Sequence, residues 1–386
     1  MNRPLLNRRL AGMGTTIFAE MSALAVETGA VNLGQGFPDT DGPREIAQAA
    51  ADAVLAGRGN QYPPGPGVPE LRQAICWHQA HWYGLDYDPG TEVLVTAGAT
   101  EAVAATLLAL VEPGDEVIAL EPYYDSYAAC IAMAGGERVP VTLRAPDFRP
   151  DLDALRAAVT PRTRLILLNT PHNPTGCVLT PAELAAVAEI ARAHDLLVVT
   201  DEVYEHLVFE GEHVPIASLP GMRERTVTIS SAGKTFSFTG WKVGWVTATP
   251  ELVTAVRTAK QFLTFVASGP FQYAVAGALR LPDAYFTALR DDLRRKRDLL
   301  CAGLADAGFE VYRPAGTYFV TTDIRPFGEH DGVKFCRELP HRAGVVAVPS
   351  GVFYDDKDAG GSQVRFAFCK RTEVLTEALA RLARLR

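Results

Sequence analysis

The chemistry of this sequence centres on one lysine, Lys234, within residues 226–245. A β-branched run at 226–229 predicts a short buried strand, and the small residues at 230–233 lead directly to the lysine. Burial lowers the pKa of a lysine and leaves its amine free to attack a carbonyl carbon. A lysine alone is more often a surface residue, so this assignment depends on the groups that accompany it.

Short apolar runs alternate with helical patterns along the first two thirds of the chain. Apolar runs of this length between helices are typical of a parallel sheet that is covered on both faces. We therefore predict an α/β fold whose large domain has a mostly parallel sheet between helices. The predicted strands are 93–96, 116–120, 165–168, 196–200, 226–229 and 243–248, and the helices among them are 99–111, 124–134 and 181–194.

A long charged helix at 282–307 leads from this domain into a second, smaller unit. Three apolar strand patterns and a terminal helix follow it, which indicates an α+β arrangement. The predicted limits are 1–44 for an N-terminal arm and part of the small domain, 45–285 for the large cofactor-binding domain and 286–386 for the small C-terminal domain.

Polar and small residues stand directly after four of the predicted strands. Ligands of an open parallel sheet bind at the carboxyl ends of its strands, so we expect these residues to meet. The start of the helix after strand 93–96 offers main-chain amides to an anion. The candidate residues in chain order are Gly98, Ala99, Thr100, Asn169, Asn173, Asp201, Tyr204, Ser231, Lys234 and Lys242.

One cofactor needs all of these groups together. Pyridoxal 5′-phosphate requires a lysine that bonds to its aldehyde, a carboxylate at its ring nitrogen, donors to its ring oxygen and a phosphate site. Taken singly, Asp201 could cap a helix, Tyr204 could belong to the core and Asn173 could form a turn. Because all of these residues follow successive strands, together they predict a pyridoxal-phosphate site. No metal is expected in this site.

Motifs at several other places support this interpretation. They occur at 32–39, 60–65, 169–176, 200–204, 231–236, 240–245, 316–319 and 364–366. With these motifs the chain resembles the class I, fold-type I pyridoxal-phosphate aminotransferases over essentially its whole length. Within that family it is similar to the branch of kynurenine, glutamine–phenylpyruvate and methionine aminotransferases, and in particular to actinobacterial N-succinyldiaminopimelate aminotransferases.

The resemblance implies a cofactor-binding role for each strand-end residue. Lys234 is implied to hold the cofactor covalently and later to move a proton at the reacting carbon. Asp201 would pair with the ring nitrogen, Tyr204 and Asn173 would bind the ring oxygen, and Tyr124 would stack on the ring. The implied phosphate ligands from the same chain are Gly98, Ala99, Thr100, Ser231 and Lys242. Tyr62 is implied to reach the phosphate of the neighbouring subunit, so the two chains of a homodimer would share their active sites.

The resemblance also implies how the substrate binds. Arg365 would hold the α-carboxylate, because its planar guanidinium can donate two parallel hydrogen bonds. Asn169 and the backbone of Gly36 would assist. Phe18 stands in the substrate region, where the animal kynurenine enzymes have tryptophan, and this difference weakens the case for kynurenine as the substrate.

The expected reaction moves an amino group from an L-amino acid to a 2-oxo acid, with 2-oxoglutarate as the expected acceptor. N-succinyl-LL-diaminopimelate is one expected donor, and methionine, glutamine and kynurenine are alternatives. The same site could also catalyse β-elimination from cysteine conjugates. A cofactor-sensing regulator is a further alternative, but it would need a DNA-binding domain, for which too few residues precede residue 31.

Composition and the remaining motifs exclude other classes of function. The net charge of −8 argues against nucleic acid and against an anionic membrane as partners. Six scattered cysteines and the lack of a long apolar run indicate a cytoplasmic protein with reduced thiols. No Gly-x-Gly-x-x-Gly follows the first strand, as a nicotinamide site would require. His78 and His81 lack a third zinc ligand nearby in the sequence, and a calcium loop at 356–361 would have Ala367 in place of its glutamate.

Overall fold

The computed structural model describes residues 5–11, 13–14 and 16–385. The helices are α1 (Ile17–Thr28), α2 (Arg44–Leu55), α3 (Pro69–Tyr83), α4 (Gly98–Leu110), α5 (Asp125–Ala134), α6 (Leu152–Ala157), α7 (Pro181–Ala193), α8 (Ala232–Thr235), α9 (Pro250–Lys260), α10 (Gly269–Ala278), α11 (Asp283–Ala307), α12 (Gly332–Ala343) and α13 (Thr372–Leu382). The strands are β1 (Val31–Asn32), β2 (Val93–Thr96), β3 (Glu116–Glu121), β4 (Glu137–Thr142), β5 (Thr163–Asn169), β6 (Leu197–Asp201), β7 (Thr226–Ser231), β8 (Gly244–Thr247), β9 (Glu310–Tyr312), β10 (Phe319–Asp323), β11 (Val345–Val346), β12 (Val348–Pro349) and β13 (Gln363–Ala367).

Seven strands form the large sheet in the order β2-β8-β7-β6-β5-β3-β4. Strand β8 runs antiparallel to both of its neighbours, and all other neighbouring strands are parallel. The predicted fold-type I α/β fold with a mostly parallel sheet is therefore confirmed.

Side chains of β5 show why the central strands read as continuous apolar runs. Leu165 and Leu167 pack in a core with α4 and α5, whereas Ile166 and Leu168 pack in a second core with α7. Both faces of the sheet are therefore covered, and ligands of such a sheet bind at its carboxyl edge.

The small sheet has four antiparallel strands in the order β12-β13-β10-β9. Strand β1 of the N-terminal segment pairs in parallel with β11 and so brings residues 31–32 to the C-terminal part of the chain. This pairing fits the assignment of residues 1–44 to an arm and part of the small domain, although the predicted domain limits stay a prediction.

Some predicted element boundaries differ from those of the structure for local reasons. Helix α5 begins one residue later than the predicted residue 124, because Tyr124 has the extended ψ of 128° that precedes a helix. Strand β10 begins at Phe319, since Thr317 has a positive φ of 66°. The edge strand β4 was not predicted from sequence, because its charged and partly exposed residues lack an apolar run. Across the described ranges, no helix combines the length and the apolar character that a membrane crossing requires.

Candidate active site

A cavity of about 380 Å³ lies at the carboxyl edge of the large sheet. The strand-end residues meet there, as the parallel arrangement predicts, and residues of the small domain and the N-terminal segment close the other side. Of the predicted site residues, those that line the cavity are Phe18, Gly36, Gly98, Ala99, Thr100, Tyr124, Asn169, Asn173, Asp201, Tyr204, Ser231, Lys234, Lys242 and Arg365. Tyr62 is not among its lining residues.

Lys234 enters the cavity from α8, the single helical turn after the buried strand β7. Burial lowers the pKa of its amine, and the carboxylate of Asp201 partly opposes this shift. The ammonium nitrogen lies 5.7 Å from the ring centres of both Tyr204 and Tyr318. A lysine with a lowered pKa has a larger neutral fraction, which is the form that attacks a carbonyl carbon.

The carboxylate of Asp201 lies at the end of β6 and is held by two donors. The hydroxyl of Tyr127 donates to Oδ2 at 2.7 Å, and the main-chain N–H of Val203 donates to Oδ1 at 3.2 Å. Burial raises the pKa of Asp201, and the hydrogen bond from Tyr127 is the largest effect that opposes this rise. Sequence reasoning missed Tyr127, which lies in the first turn of α5 and whose ring centre is 5.8 Å from that of the predicted residue Tyr124.

Asn173 and Asn169 form a connected pair after β5. The side-chain oxygen of Asn173 accepts a hydrogen bond from Arg365 at 2.9 Å, which leaves its amide NH₂ to donate to a bound group. The side chain of Asn169 donates to the main-chain oxygen of Asp201 at 2.8 Å and accepts from the main-chain N–H of Asn173 at 2.7 Å. Asn169 therefore positions the loop, and its contact with a substrate carboxylate stays a prediction.

The start of α4 and Lys242 lie together at the cavity and form a candidate anion site. Gly98 has a φ of 77°, and a Cβ built on it would lie 3.1 Å from the ammonium nitrogen of Lys242. A Cβ on Gly244 would lie 2.5 Å from the main-chain carbon of Gly98, so glycine is needed where β8 meets this helix start. Free N–H groups at a helix start, together with a nearby ammonium group, suit a phosphate.

Arg365 reaches the cavity from β13 and is only 2% exposed. Its guanidinium donates to Asn173 and, at 3.2 Å, to the main-chain oxygen of Gly34. Its Nε has no hydrogen-bond partner, and no carboxylate pairs with Arg365 within the described part of the chain. Burial lowers the pKa of Arg365 to about 10. A buried cation without a counter-ion is costly, so this environment is suited to an anionic ligand.

Aromatic rings surround this guanidinium. Its central carbon lies 4.0 Å from the ring centre of Phe319, 5.2 Å from that of Phe18 and 5.4 Å from that of Phe353. The hydroxyl of Tyr318 donates to the main-chain oxygen of Gly36 at 2.6 Å, and a Cβ on Gly36 would lie 2.5 Å from Phe319. Glycine is therefore required where the N-terminal segment crosses the cavity.

Tyr204 completes the cofactor side of the cavity. It is buried, its ring is perpendicular to that of Tyr318 at a centre distance of 5.3 Å, and burial raises its pKa. Its phenol therefore stays protonated at neutral pH and can donate a hydrogen bond. Together, the nucleophilic lysine, the buried carboxylate, the phenol and amide donors and the anion site form a donor set that fits pyridoxal 5′-phosphate.

His78 has different neighbours from those considered in the sequence. His81 pairs with Asp283, whereas Nε2 of His78 lies 2.7 Å from Nε2 of His206. Glu205 brings a third potential ligand atom within 4.8 Å of these two. His78 and His81 therefore do not share a site, and the groups near His78 come from a segment 128 residues further along the chain, which the sequence argument did not consider.

Comparison with known proteins defines the class of this enzyme. The sequence profile of the family described as aminotransferase class I and II matches residues 28–382. The chain therefore belongs to this family and is a pyridoxal-phosphate-dependent aminotransferase, as the motifs predict.

Individual relatives cover nearly the whole chain. It is 56% identical to the probable N-succinyldiaminopimelate aminotransferase DapC of Mycobacterium tuberculosis, over 97% of each protein. The solved structure of N-succinyldiaminopimelate aminotransferase from Mycobacterium tuberculosis superimposes on this chain with a TM-score of 0.96. The match covers 99% of this chain and 100% of the solved chain. The methionine aminotransferase of Escherichia coli is 42% identical over the full length of both, and the Homo sapiens kynurenine–oxoglutarate transaminase 1 is 37% identical over 96% of both.

Proposed function

We propose that this aminotransferase uses N-succinyl-LL-diaminopimelate as its amino donor and 2-oxoglutarate as its acceptor. The observation that carries the proposal is that the buried, unpaired Arg365 shares one cavity with the partly buried Lys234, whose amine has a lowered pKa. Arg365 can bind an α-carboxylate while Lys234 reaches the α-carbon beside it. The similarity to the mycobacterial enzyme supports the particular donor.

Each residue has a defined task in this proposal. Arg365 binds and orients the α-carboxylate of the amino acid, and later that of the oxo acid. Lys234 would take the proton from the α-carbon of the amino acid and deliver it to the C4′ carbon of bound pyridoxal phosphate, and would move a proton in the opposite direction when the oxo acid is aminated. Asp201, ionised, holds a proton on the ring nitrogen of the cofactor. When bound, pyridoxal phosphate supplies an aldehyde that takes up the amino group and a ring that accepts the electron pair of the α-carbon.

Methionine is the second candidate donor, and one observation favours it. The only cationic side chains among the described residues that line the cavity are Lys234, Lys242 and Arg365. Each of them has a task at the cofactor or at the α-carboxylate, so none is left for a carboxylate on the donor side chain. Phe18 and Phe37 line the cavity and suit an apolar side chain.

The test is a comparison of kcat/KM for four donors, N-succinyl-LL-diaminopimelate, methionine, glutamine and kynurenine, with 2-oxoglutarate as the acceptor. We expect the highest value for N-succinyl-LL-diaminopimelate. A higher value for methionine would replace the proposed donor. Pyruvate formation from a cysteine conjugate, measured in parallel, reports β-elimination on the same site.

We also propose that the enzyme is a cytoplasmic homodimer in which Tyr62 contributes to the cavity of the second copy. All six cysteines are free, as is usual in a reducing compartment. Tyr62 is 82% exposed and packs edge-on against Phe265 at 5.4 Å, outside the cavity of its own chain. An exposed aromatic pair of this kind is typical of a protein–protein contact.

Hybrid dimers test the sharing of sites. Chains with Tyr62→Phe are mixed with chains that carry Lys234→Ala. If Tyr62 acts across the interface, both substitutions fall in one site and the other site is intact. We therefore expect hybrids to have half the wild-type activity. If every site of the hybrid is impaired, Tyr62 acts within its own chain.

A further inference from the structure

Two glutamates alternate with the proposed cofactor ligands just after β6. Glu202 follows Asp201, and Glu205 follows Tyr204. Both glutamates are buried, but neither is among the residues that line the cavity. A buried carboxylate is costly unless hydrogen bonds and a cation compensate its charge. The groups that surround these two carboxylates therefore bear on the position and the charge of the cofactor ligands beside them.

Glu202 forms a buried ion pair with His213, which comes from the loop after β6. Nε2 of His213 lies 2.9 Å from Oε2 of Glu202, and the two side chains are 4% and 1% exposed. The hydroxyl of Thr200 donates to Oε1 of Glu202 at 3.0 Å, so both carboxylate oxygens have a partner. Burial lowers the pKa of His213, but Glu202 and Glu205 together raise it by more, and the net shift is upward. His213 therefore keeps its positive charge to a higher pH than an ordinary histidine does.

Glu205 ties the same segment to β7. Oε1 of Glu205 accepts a hydrogen bond from the hydroxyl of Ser230 at 2.6 Å. The main-chain N–H of Glu202 also donates to the main-chain oxygen of Ile229 in β7 at 2.8 Å. Ser230 directly precedes Ser231, which lines the cavity. The segment after β6 and the strand that leads to the cofactor lysine are therefore held together from outside the cavity.

His213 supplies the positive charge of this buried group. The titratable side chains that face it come from the segment after β6 and from α3, and they are Glu202, Glu205, His206 and Tyr83. Burial holds the pKa of His206 well below its usual value and raises that of Tyr83, so both are neutral at pH 7. Among these side chains, His213 is therefore the one cation that balances the charge of Glu202.

We propose that His213 is a positioning residue for the cofactor site, where its positive charge compensates Glu202 and so preserves the position and the negative charge of Asp201. Without His213, Glu202 would be a second, uncompensated anion next to Asp201, and the ion pair that holds the loop after β6 would be lost. The charge of Glu202 already adds to the rise in the pKa of Asp201 that burial causes. The inference rests on the proposed pairing of Asp201 with the ring nitrogen of the cofactor.

The test compares His213→Gln with the double variant Glu202→Gln/His213→Gln. His213→Gln leaves Glu202 unbalanced, so the dissociation constant of pyridoxal phosphate, measured by equilibrium dialysis, should rise about tenfold. The acid limb of the pH profile of kcat/KM should move to higher pH by about half a unit or more, because a nearby negative charge disfavours ionisation of Asp201. The double variant has no unbalanced charge and should regain most of both properties, since replacing both partners of a buried pair is often close to neutral.

His81→Gln is the matched control, because His81 pairs with Asp283 at the same distance of 2.9 Å but at an exposed position. It should leave the dissociation constant and the pH profile unchanged. The proposal is overturned if His213→Gln keeps the wild-type values of both. It is also overturned if the double variant is as impaired as the single one, in cofactor binding or in folding, because the defect would then come from lost packing and not from the charge of Glu202.

Asp201→Asn separates this proposal from the role of Asp201 on which it rests. If that variant shows near-normal turnover, the pairing with the ring nitrogen is wrong. The role of His213 is then decided by the pyridoxal phosphate dissociation constants of the single and double variants alone.

Discussion

The cofactor side of the cavity is built from residues that follow consecutive strands of one sheet, whereas Arg365 comes from the small domain and is surrounded by distant segments. Asp201 ends β6 and Lys234 follows the neighbouring strand β7 in α8, and hydrogen bonds from the same domain fix the Asp201 carboxylate. Arg365 is instead held by one amide, one carbonyl oxygen and three aromatic rings.

This difference has a functional meaning. The cofactor stays bound through many turnovers, so its ligands can be fixed by a rigid sheet. The substrate must enter and leave in each turnover. The Nε of Arg365 has no hydrogen-bond partner, and the neighbouring aromatic rings form no hydrogen bonds that a substrate would have to replace. Substitutions on the two sides should therefore have different kinetic signatures.

Asp201→Asn should produce the largest effect. Without the negative charge, the protonated ring nitrogen of the cofactor loses its partner, and kcat should fall about 10²- to 10³-fold, the usual cost of removing one preorganised electrostatic group. The cofactor should stay bound, because the phosphate site is intact. Asp195→Asn, at an exposed position of positive φ, is the control. Near-normal turnover of the Asp201 variant would refute the pairing.

Arg365→Lys should affect substrate binding and not the cofactor. The ammonium group of lysine cannot donate two parallel hydrogen bonds as the guanidinium group does. KM should therefore rise for both the amino acid and the oxo acid, by a factor that corresponds to about 1.5–3 kcal/mol of lost binding free energy, the range of hydrogen bonds to charged groups. Arg337→Lys, at an exposed ion pair with Glu20, is the matched control. A tenfold rise in KM would correspond to about 1.4 kcal/mol. If KM stays within about twofold of the wild-type value for both substrates, another residue binds the carboxylate.

Tyr127→Phe should have the smallest effect, and its signature is a shift with pH. The hydrogen bond from Tyr127 favours the ionised form of Asp201, so its loss raises the pKa of this carboxyl group further. The acid limb of the pH profile of kcat/KM should therefore move to higher pH, with a loss of about tenfold or less at neutral pH. Tyr273→Phe serves as the control, because Tyr273 lies in α10, packs on the guanidinium group of Arg58 at 4.0 Å and is not among the residues that line the cavity. An unchanged profile would show that Tyr127 has only a packing role.

The sequence predicted which strand-end residues meet in the cavity, because strand ends of a parallel sheet meet at one edge whatever the details of packing. That reasoning could not place Phe353 and Phe18 on Arg365, since these contacts depend on how the segments pack against each other. It did not predict the main-chain hydrogen bonds of the Asn169 side-chain amide, and the assignment of Asn169 to the substrate stays a prediction. The side-chain type alone does not show which partner an amide selects.

Contacts across long sequence separations were the least predictable. Glu101 and Thr264 are 163 residues apart, and neither belongs to a motif that indicates their hydrogen bond. His78 and His206 likewise meet only because α3 packs near the loop after β6. Such pairs depend on how the helices pack on the sheet. Hydrophobic periodicity predicts which face of a helix is buried, but not which distant residue that face contacts.

The identity of the cofactor lysine is the central claim, and trapping with borohydride tests it most directly. Reduction of the holoenzyme should fix pyridoxal phosphate to a single peptide, identified by mass spectrometry, in which Lys234 carries the added mass. The Lys234→Ala protein should take up no covalent label under the same conditions. Label on a peptide without Lys234, or equal labelling of the alanine variant, would contradict the account.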